Sequence, residues 1–392
     1  MLLCAQFAFL PSAFAADAAQ YELIGTKEEL VKFRDRVNNG ETDLNARLTA
    51  DIDLGGEKWT PIGNDPENDK FYNATFDGSG HTVSGLKVQD PNGNYQGFFG
   101  GLYQASVENL TVIGASEGAM AVGGIAGAAE SSSINNCIFK GDVTGHAWVG
   151  GIVGNNVSSR VMNCAYFGGT VTVVAREGIL FNGGLAGGIA GSCGQADPFP
   201  TLEKSPLLAN CIVSADIKNT NTNATGIGGV AGVANYAIVA NCTFVSGSVV
   251  SVGNTVGGIV GACNNYYMVN CVFAGSKVAG KEGANDVGGV AGHGGTSIVN
   301  CGWLEGSAAK GFGTPENAAF NESNLKQFTA AQMDKIIVSA RLLPTSGDGV
   351  AAFVSYPGKS AAKNLKITSA VPLEASYTAE ADGTTVKLTG KT

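Results

Sequence analysis

The sequence predicts an all-β chain coiled as a parallel β-helix, a solenoid of about seven turns. Three observations predict it. A glycine pair and an Asn-Cys pair recur together, the segments between them are short and β-branched, and charge is sparse. The Asn-Cys pairs are Asn136-Cys137, Asn163-Cys164, Asn210-Cys211, Asn241-Cys242, Asn270-Cys271 and Asn300-Cys301, at intervals of 27, 47, 31, 29 and 30 residues. Glycine pairs precede them, and the second Gly lies 13 residues before Cys in four units, 12 in the last and 23 in the third. An earlier unit carries Asn109-Leu110, again 13 residues after Gly97. A period near 29 in segments too glycine-rich to hold a helix fits stacked turns of short parallel strands. Within a unit we expect strands at "GGIAG", "CIF" and "GDV". Seven turns at ~4.7–4.9 Å each give a rod of roughly 35 Å.

Residues 1–16 read as a signal peptide, with an apolar run from Leu2 to Leu10 and an A-x-A site at Ala13-Phe14-Ala15. The basic n-region is missing, which points to a start codon upstream. A buried N-terminal strand is the alternative. Residues 17–96 form an N-terminal cap. Thr26 and Glu29 make a capping box, Leu30, Phe33 and Val37 share one helical face, and Asn38-Asn39-Gly40 stops the helix. Beyond it, Leu48, Ala50, Ile52 and Leu54 alternate with Thr49, Asp51 and Asp53, as in a half-buried strand.

Residues 97–310 carry the repeats. In a parallel coil each residue stacks on its equivalent one turn away, so a recurring residue becomes a ladder. Glycine allows a turn or a close backbone approach. Asn tolerates a left-handed corner, and its amide can bond to the Asn above and below. The residue after it points inward, as does the one two further on: Val112, Phe139, Tyr166, Val213, Phe244, Phe273 and Trp303. The stacked cysteines read as buried free thiols rather than disulfides or metal ligands. Leu110 fills the same slot, stacked Cβ vectors sit farther apart than a disulfide's usual ~3.8 Å, and no C-x-x-C is present. Cys193 and Cys263 share a second slot, expected to be more exposed.

Residues 311–345 read as a C-terminal helical cap, with a second capping box from Thr329 to Gln332 and an apolar face of Met333, Ile336, Ile337 and Ala340 before Pro344. Residues 346–392 are β-rich and alternate as in a partial Ig-like β-sandwich. They form either a small appended sheet or the start of a domain continuing past Thr392.

The net charge of −9 and 15% charged residues argue against nucleic acid as a partner. No apolar run long enough to span a bilayer follows the N-terminus. No cofactor or metal is expected.

Three blocks resemble the GLUG-repeat proteins of bacterial cell surfaces: "LTADIDLGGEKWTPIG", then "FDGSGHTVSGLKV" with "GFFGGLY", and the recurring "VGGIVG…NC" units. They cover about residues 21–306. The resemblance implies a right-handed β-helix, secreted or surface-anchored, often adhesin-like and mostly without known activity. Related repeats precede the catalytic domain of some immunoglobulin-A-cleaving zinc peptidases. Those need H-E-x-x-H, and none of His81, His146 and His293 here is followed by Glu. His81 lies in a structural signature of that family.

The expected function is a non-enzymatic surface adhesin or rigid display and spacer module, with a host glycan or surface protein as partner. The alternative is a polysaccharide-binding lyase or glycoside hydrolase of β-helix type. That chemistry needs carboxylates ~5–10 Å apart on adjacent turns, and between 97 and 306 the charges fall in unrelated slots. Two places could bind a ligand. One is the expanded third unit, Arg176 to Leu208, with Phe199 between two prolines at its tip. The other is "NNYYMVN", where Tyr266 and Tyr267 could stack on sugars. The acidic run Asn64 to Asp69 could hold Ca²⁺ but lacks EF-hand spacing, so a solvated loop is favoured.

Overall fold

The computed structural model describes residues 21–65, 70–176, 183–195, 205–315 and 325–333, and the backbone strands 339–344, 349–355, 366–369, 377–381 and 385–391. The chain winds as a parallel β-solenoid of about eight turns, with strands in sheets of 16, 12 and 6 along the coil. A fifth-turn example shows the plan: Ala126–Glu130, Ser133–Asn135, Ile138–Gly145 and Ala147–Gly150 follow one another around the axis. Each pairs in parallel with its equivalent on the next turn, Ile134 with Val161 and Phe139 with Tyr166.

The glycine pair does not start a strand. Gly123 ends the Met120–Gly123 strand, and the next begins at Ala126, so the pair makes a corner. A Cβ on Gly123 would lie 2.1 Å from the Ala126 carbonyl oxygen, and one on Gly124 would lie 2.1 Å from Phe139 Cγ. The first glycine therefore allows the tight corner, and the second leaves room for the aromatic ring packed on it. "CIF" and "GDV" are one strand, Ile138–Gly145, whose pairing with the next turn shifts register between Lys140 and Val143. A further short strand, Ser133–Asn135, precedes the Asn-Cys corner.

The main core runs the length of the coil, with a smaller buried cluster of Ile138, Ala165, Phe167, Ile212 and Val245 apart from it. Val112, Phe139, Tyr166, Val213, Phe244 and Phe273 are fully buried. Phe139 stacks on Tyr166 at 6.2 Å and Phe244 on Phe273 at 4.8 Å.

At the N-terminal end the helix spans Lys27–Asn38, with the Thr26–Glu29 capping box formed and Leu30, Phe33 and Val37 buried. The half-buried strand expected from Leu48 to Leu54 is two, Ala46–Leu48 and Ile52–Asp53, in different sheets. Leu48, Ile52 and Leu54 are all buried. The chain turns a corner between two strands that face the same core, and a single alternating pattern serves both.

At the other end the Leu325–Phe328 strand pairs with Cys301–Leu304. The second capping box forms, Thr329 N donating to Gln332 Oε1 at 2.8 Å and Gln332 N to Thr329 Oγ1 at 3.3 Å. The helix it opens is described only over Ala330–Met333. Ile336 and Ile337 lie outside the described residues. Ala340 sits in the Ser339–Pro344 strand rather than on a helix, because that stretch pairs with 366–369 and 349–355. Among the described residues, the last strands form one five-stranded sheet.

Candidate functional site

The corner asparagines Asn109, Asn136, Asn163, Asn210, Asn241, Asn270 and Asn300 all hold φ between +52° and +55°. That left-handed conformation costs most residues energy, and Asn tolerates it. Their amides are linked in one direction. Asn136 Nδ2 donates to Asn109 Oδ1 at 2.9 Å, Asn210 to Asn163 at 3.1 Å, Asn241 to Asn210 at 3.1 Å, Asn270 to Asn241 at 3.1 Å and Asn300 to Asn270 at 2.8 Å. One rung deviates: Asn163 donates to Asn135 at 2.8 Å.

Behind them the thiols of Cys137, Cys164, Cys211, Cys242, Cys271 and Cys301 are free and buried. Each donates to backbone carbonyls, as Cys242 does to Ala240 at 3.4 Å. Burial pushes the Cys164 and Cys242 thiols well above their ordinary range. Cys193 and Cys263 are buried too, at 0% and 1% exposure, against the expectation of exposure. They face the core because alternation along Ala190–Gly194 and Val260–Val269 carries them inward with Gly191 and Gly261, while Ser192 and Ala262 face out. Burial pushes Cys193 up to about 12. Among the described residues, no group of three or more His, Cys, Asp or Glu could hold a metal ion.

The short strands before each Asn corner carry one set of outward-facing side chains. Most present two side chains outward and one inward; in Leu207–Ala209 the outer Leu207 is itself buried. In the Ile238–Ala240 strand, Val239 is buried while Ile238 and Ala240 are partly exposed. Register stacks the outward residues into two columns along the rod.

Over the first turns these columns are polar. Arg47, Asp77, Glu108 and Asn135 stack in one, Thr75, Ser106 and Ser133 in the other. Asp77 is buried and accepts from Arg47 Nε at 3.0 Å, Ser79 N at 2.8 Å and Asn109 Nδ2 at 3.1 Å. Glu108 is raised above the usual carboxylate range, by burial first and then by Asp77, with Arg47 opposing. Two carboxylates on adjacent rungs, ~4.7–4.9 Å apart along the backbone ladder, are unlike groups in unlike settings.

Over the later turns the same columns become apolar. Met162, Ala209, Ala240, Val269 and Val299 stack in one; in the other, Leu207, which is buried, Ile238 and Tyr267 stack between Arg160 at one end and Ser297 at the other. Tyr267 is 54% exposed and Val299 49%.

A third column runs on the opposite sheet. Asp142, Thr170 and Asp216 border a shallow, open depression of about 410 Å³, and Ser248 is bonded to Asp216 beside it. The charges there are therefore not in unrelated slots, as expected from the sequence. They support the backbone where the ladder bulges. Asp142 Oδ1 accepts from Thr170 N at 2.9 Å, and Asp216 Oδ1 from Ser248 N at 2.9 Å and Ser248 Oγ at 2.8 Å. Burial would raise Asp216, but Ser248 and Lys218 outweigh it and hold the carboxyl below its ordinary value.

Of the residues singled out for ligand binding, Tyr267 lies on the exposed face described above. The side chain of Tyr266 and all of Phe199 lie outside the described residues, as do residues 66–69 of the acidic run. Asp65 pairs with Lys70 at 3.4 Å. His81 meets Asp51 at 3.2 Å, and the same carboxylate oxygen accepts from Thr82 N, so the contact ties two turns together. The Arg47–Asp77–Glu108 stack escaped the sequence reading because its members lie about 30 residues apart and two precede residue 97. A search of equivalent positions that began at the first turn would have found it.

Comparison with known proteins agrees with this architecture. The model of the GLUG motif matches residues 118–144, so the chain carries that motif. Halomucin of Haloquadratum walsbyi is 36% identical over 106 residues, which is 24% of this chain but only 1% of halomucin. The crystal structure of a candidate immunoglobulin A1 protease from Bacteroides ovatus superposes with a TM-score of 0.53 at 19% identity, covering 81% of this chain and 86% of that one. The last likeness is one of fold.

Proposed function

We propose that this chain is a secreted or cell-surface β-helix that works without catalysis, as an adhesin or rigid display module for a glycan or surface protein. The observation that carries the reading is the apolar stretch of outward columns ending in Tyr267 and Val299. Tyr267 and Val299 are exposed, Met162, Ala209, Ile238, Ala240 and Val269 are half-buried, and such apolar side chains in one row on a rigid scaffold mark a contact surface. The GLUG motif and the halomucin-like segment support a place outside the cell. Peptidase activity is not carried over from the Bacteroides ovatus structure, since H-E-x-x-H does not occur in this sequence.

One observation favours a second reading, a lyase or glycoside hydrolase. It is the Asp77–Glu108 pair beside Arg47, where one carboxyl is raised and the other sits in a web of donors. A single experiment separates the two. The chain from about Ala16 is incubated with plant, mucosal and microbial polysaccharides and with surface-protein extracts, and both retention and new chain ends are followed. Retention without new ends supports the adhesin reading. New ends that vanish in Glu108→Gln and Asp77→Asn would replace it with the enzyme.

A further inference from the structure

The apolar row invites a more definite statement about its occupant, and its dimensions and charge supply one. Five rungs, from Met162 to Val299, place the ends of the row about 19 Å apart, with columns ~7 Å from each other, given the spacings of parallel sheets. Counting side-chain width, the row offers on the order of 300 Å², well under the ~800 Å² per partner that a stable protein interface buries. A second copy of the chain or a globular partner would overhang it on both sides. What fits is narrow, long and flat.

Charge narrows the choice further. Among the described residues of the two columns, Arg160 on the Met162 rung is charged, and the columns from Leu207 to Val299 carry no charged side chain. Next beyond Arg160, the rungs turn to Asn135, Glu108 and Asp77. An acidic polymer would meet one cation, Arg160 on the Met162 rung, find no further ion pair from Leu207 to Val299, and run into Glu108 and Asp77 beyond it. A ligand of neutral units with apolar faces suits both parts. The spacing also matters: one rung advances ~4.8 Å, close to the advance of one pyranose in an extended β-linked chain. Successive sugars would then meet successive rungs in equivalent settings, with C–H faces on Ala209, Ala240 and Val269 and one ring on Tyr267. Aromatic rings supply large rigid apolar area for such stacking.

We propose that the row binds a linear, neutral, β-linked glycan lying along the rod axis, about one sugar per turn. This rests on the display reading above and gives it a ligand class.

The test titrates the full chain with β-1,4-linked glucose and xylose oligomers of two to eight units, by calorimetry, with polygalacturonate as the acidic comparison. Affinity should rise with length and level off near five units, one per rung. Ala240→Glu should weaken binding at least tenfold and Tyr267→Ala by several-fold, while Ser106→Ala on the polar half leaves it unchanged. Ala209→Glu serves as a second central charge should Ala240→Glu lose its β-sheet circular dichroism. Affinity that ignores chain length, or survives both central charges, overturns the proposal, as does tighter binding of polygalacturonate or no binding of any neutral oligomer. If a charged glycan or a protein binds instead and Ala240→Glu abolishes that binding, the glycan class is wrong but the display reading stands. If the wild-type chain retains no glycan or protein at all, both fall.

Discussion

The two ends of the coil's interior are built differently. Around the first turns, Phe33, Tyr72, Phe76, Phe98 and Phe99 cluster at centroid distances of 5.1–6.0 Å and at mixed angles, with the helix supplying Phe33. From the Phe139 rung onward the interior repeats, one inward aromatic or aliphatic and one thiol per turn, with a glycine pair facing them. The cap is an irregular jigsaw that closes an end. The repeat is one solution copied, so its tolerance is set by what a neighbouring turn can accept. A defect in the cap leaves a hole bounded by many rings, whereas a defect in a repeat disturbs two neighbours in the same way.

The largest effect should come from crowding a repeat corner. Gly258→Ala would set a Cβ 2.0 Å from the Gly289 carbonyl oxygen and 2.7 Å from Phe273 Cγ. Backbone cannot yield there, so a loss above about 4 kcal/mol is expected. Chemical denaturation of this variant beside Gly283→Ala, whose added Cβ meets nothing within 4 Å although its φ is +75°, isolates the crowding. A small loss in Gly258→Ala would mean the corner is soft and the repeat logic wrong.

Next comes the cap. Phe99→Ala should cost about 3–5 kcal/mol, the usual range for a buried aromatic. A markedly smaller loss would mean the cluster can collapse, and the contrast between ends would weaken.

At the ladder, Asn241→Ala removes both an amide link and a residue suited to φ of +52°. Roughly 1–3 kcal/mol is expected for the unsatisfied partners. Asn241→Gly keeps the backbone conformation and loses only the link, so it should cost less. Equal losses would assign the whole effect to the amides.

The smallest effect is electrostatic. Because the folded Glu108 carboxyl is raised, the native chain binds more protons than the unfolded chain between the unfolded value of ~4.3 and the folded one. Stability therefore falls as pH rises through that window, and the cost persists above it. Glu108→Gln should raise the melting temperature at pH 7, with the gain fading as pH drops below ~4. No gain at neutral pH would remove the unusual setting on which the enzymatic reading leans.

Much of this was legible in the sequence wherever a residue recurs at the period. The solenoid, the Asn corners, the inward thiols and the Thr26 helix cap all follow from spacing and local chemistry. What resisted were features set by register between unlike residues. Arg47, Asp77 and Glu108 share no motif, and only the pairing of their strands brings them together. The exposure of Cys193 was misjudged because its slot is filled by Asn156, Ala234 and Gly294 on other turns, a mixture that hides an inward position. The boundaries of the glycine strand failed for a related reason. Glycine there answers to a ring fifteen residues later in Phe139, not to its own neighbours.

The amide ladder has a consequence for how such a molecule can change over generations. Every link points the same way, from a later turn to an earlier one, and Asn109 ends the series on the carboxylate of Asp77. A duplicated turn dropped in between linked corners, such as Asn210 and Asn241, accepts from its successor and donates to its predecessor as the original did. The link from Asn210 to Asn163 across 47 residues shows that extra chain can be looped out between turns without breaking that match. Length thus behaves as a dial that genetic duplication can move in single clicks, pushing whatever the far end carries outward by one rung while both ends stay as they are.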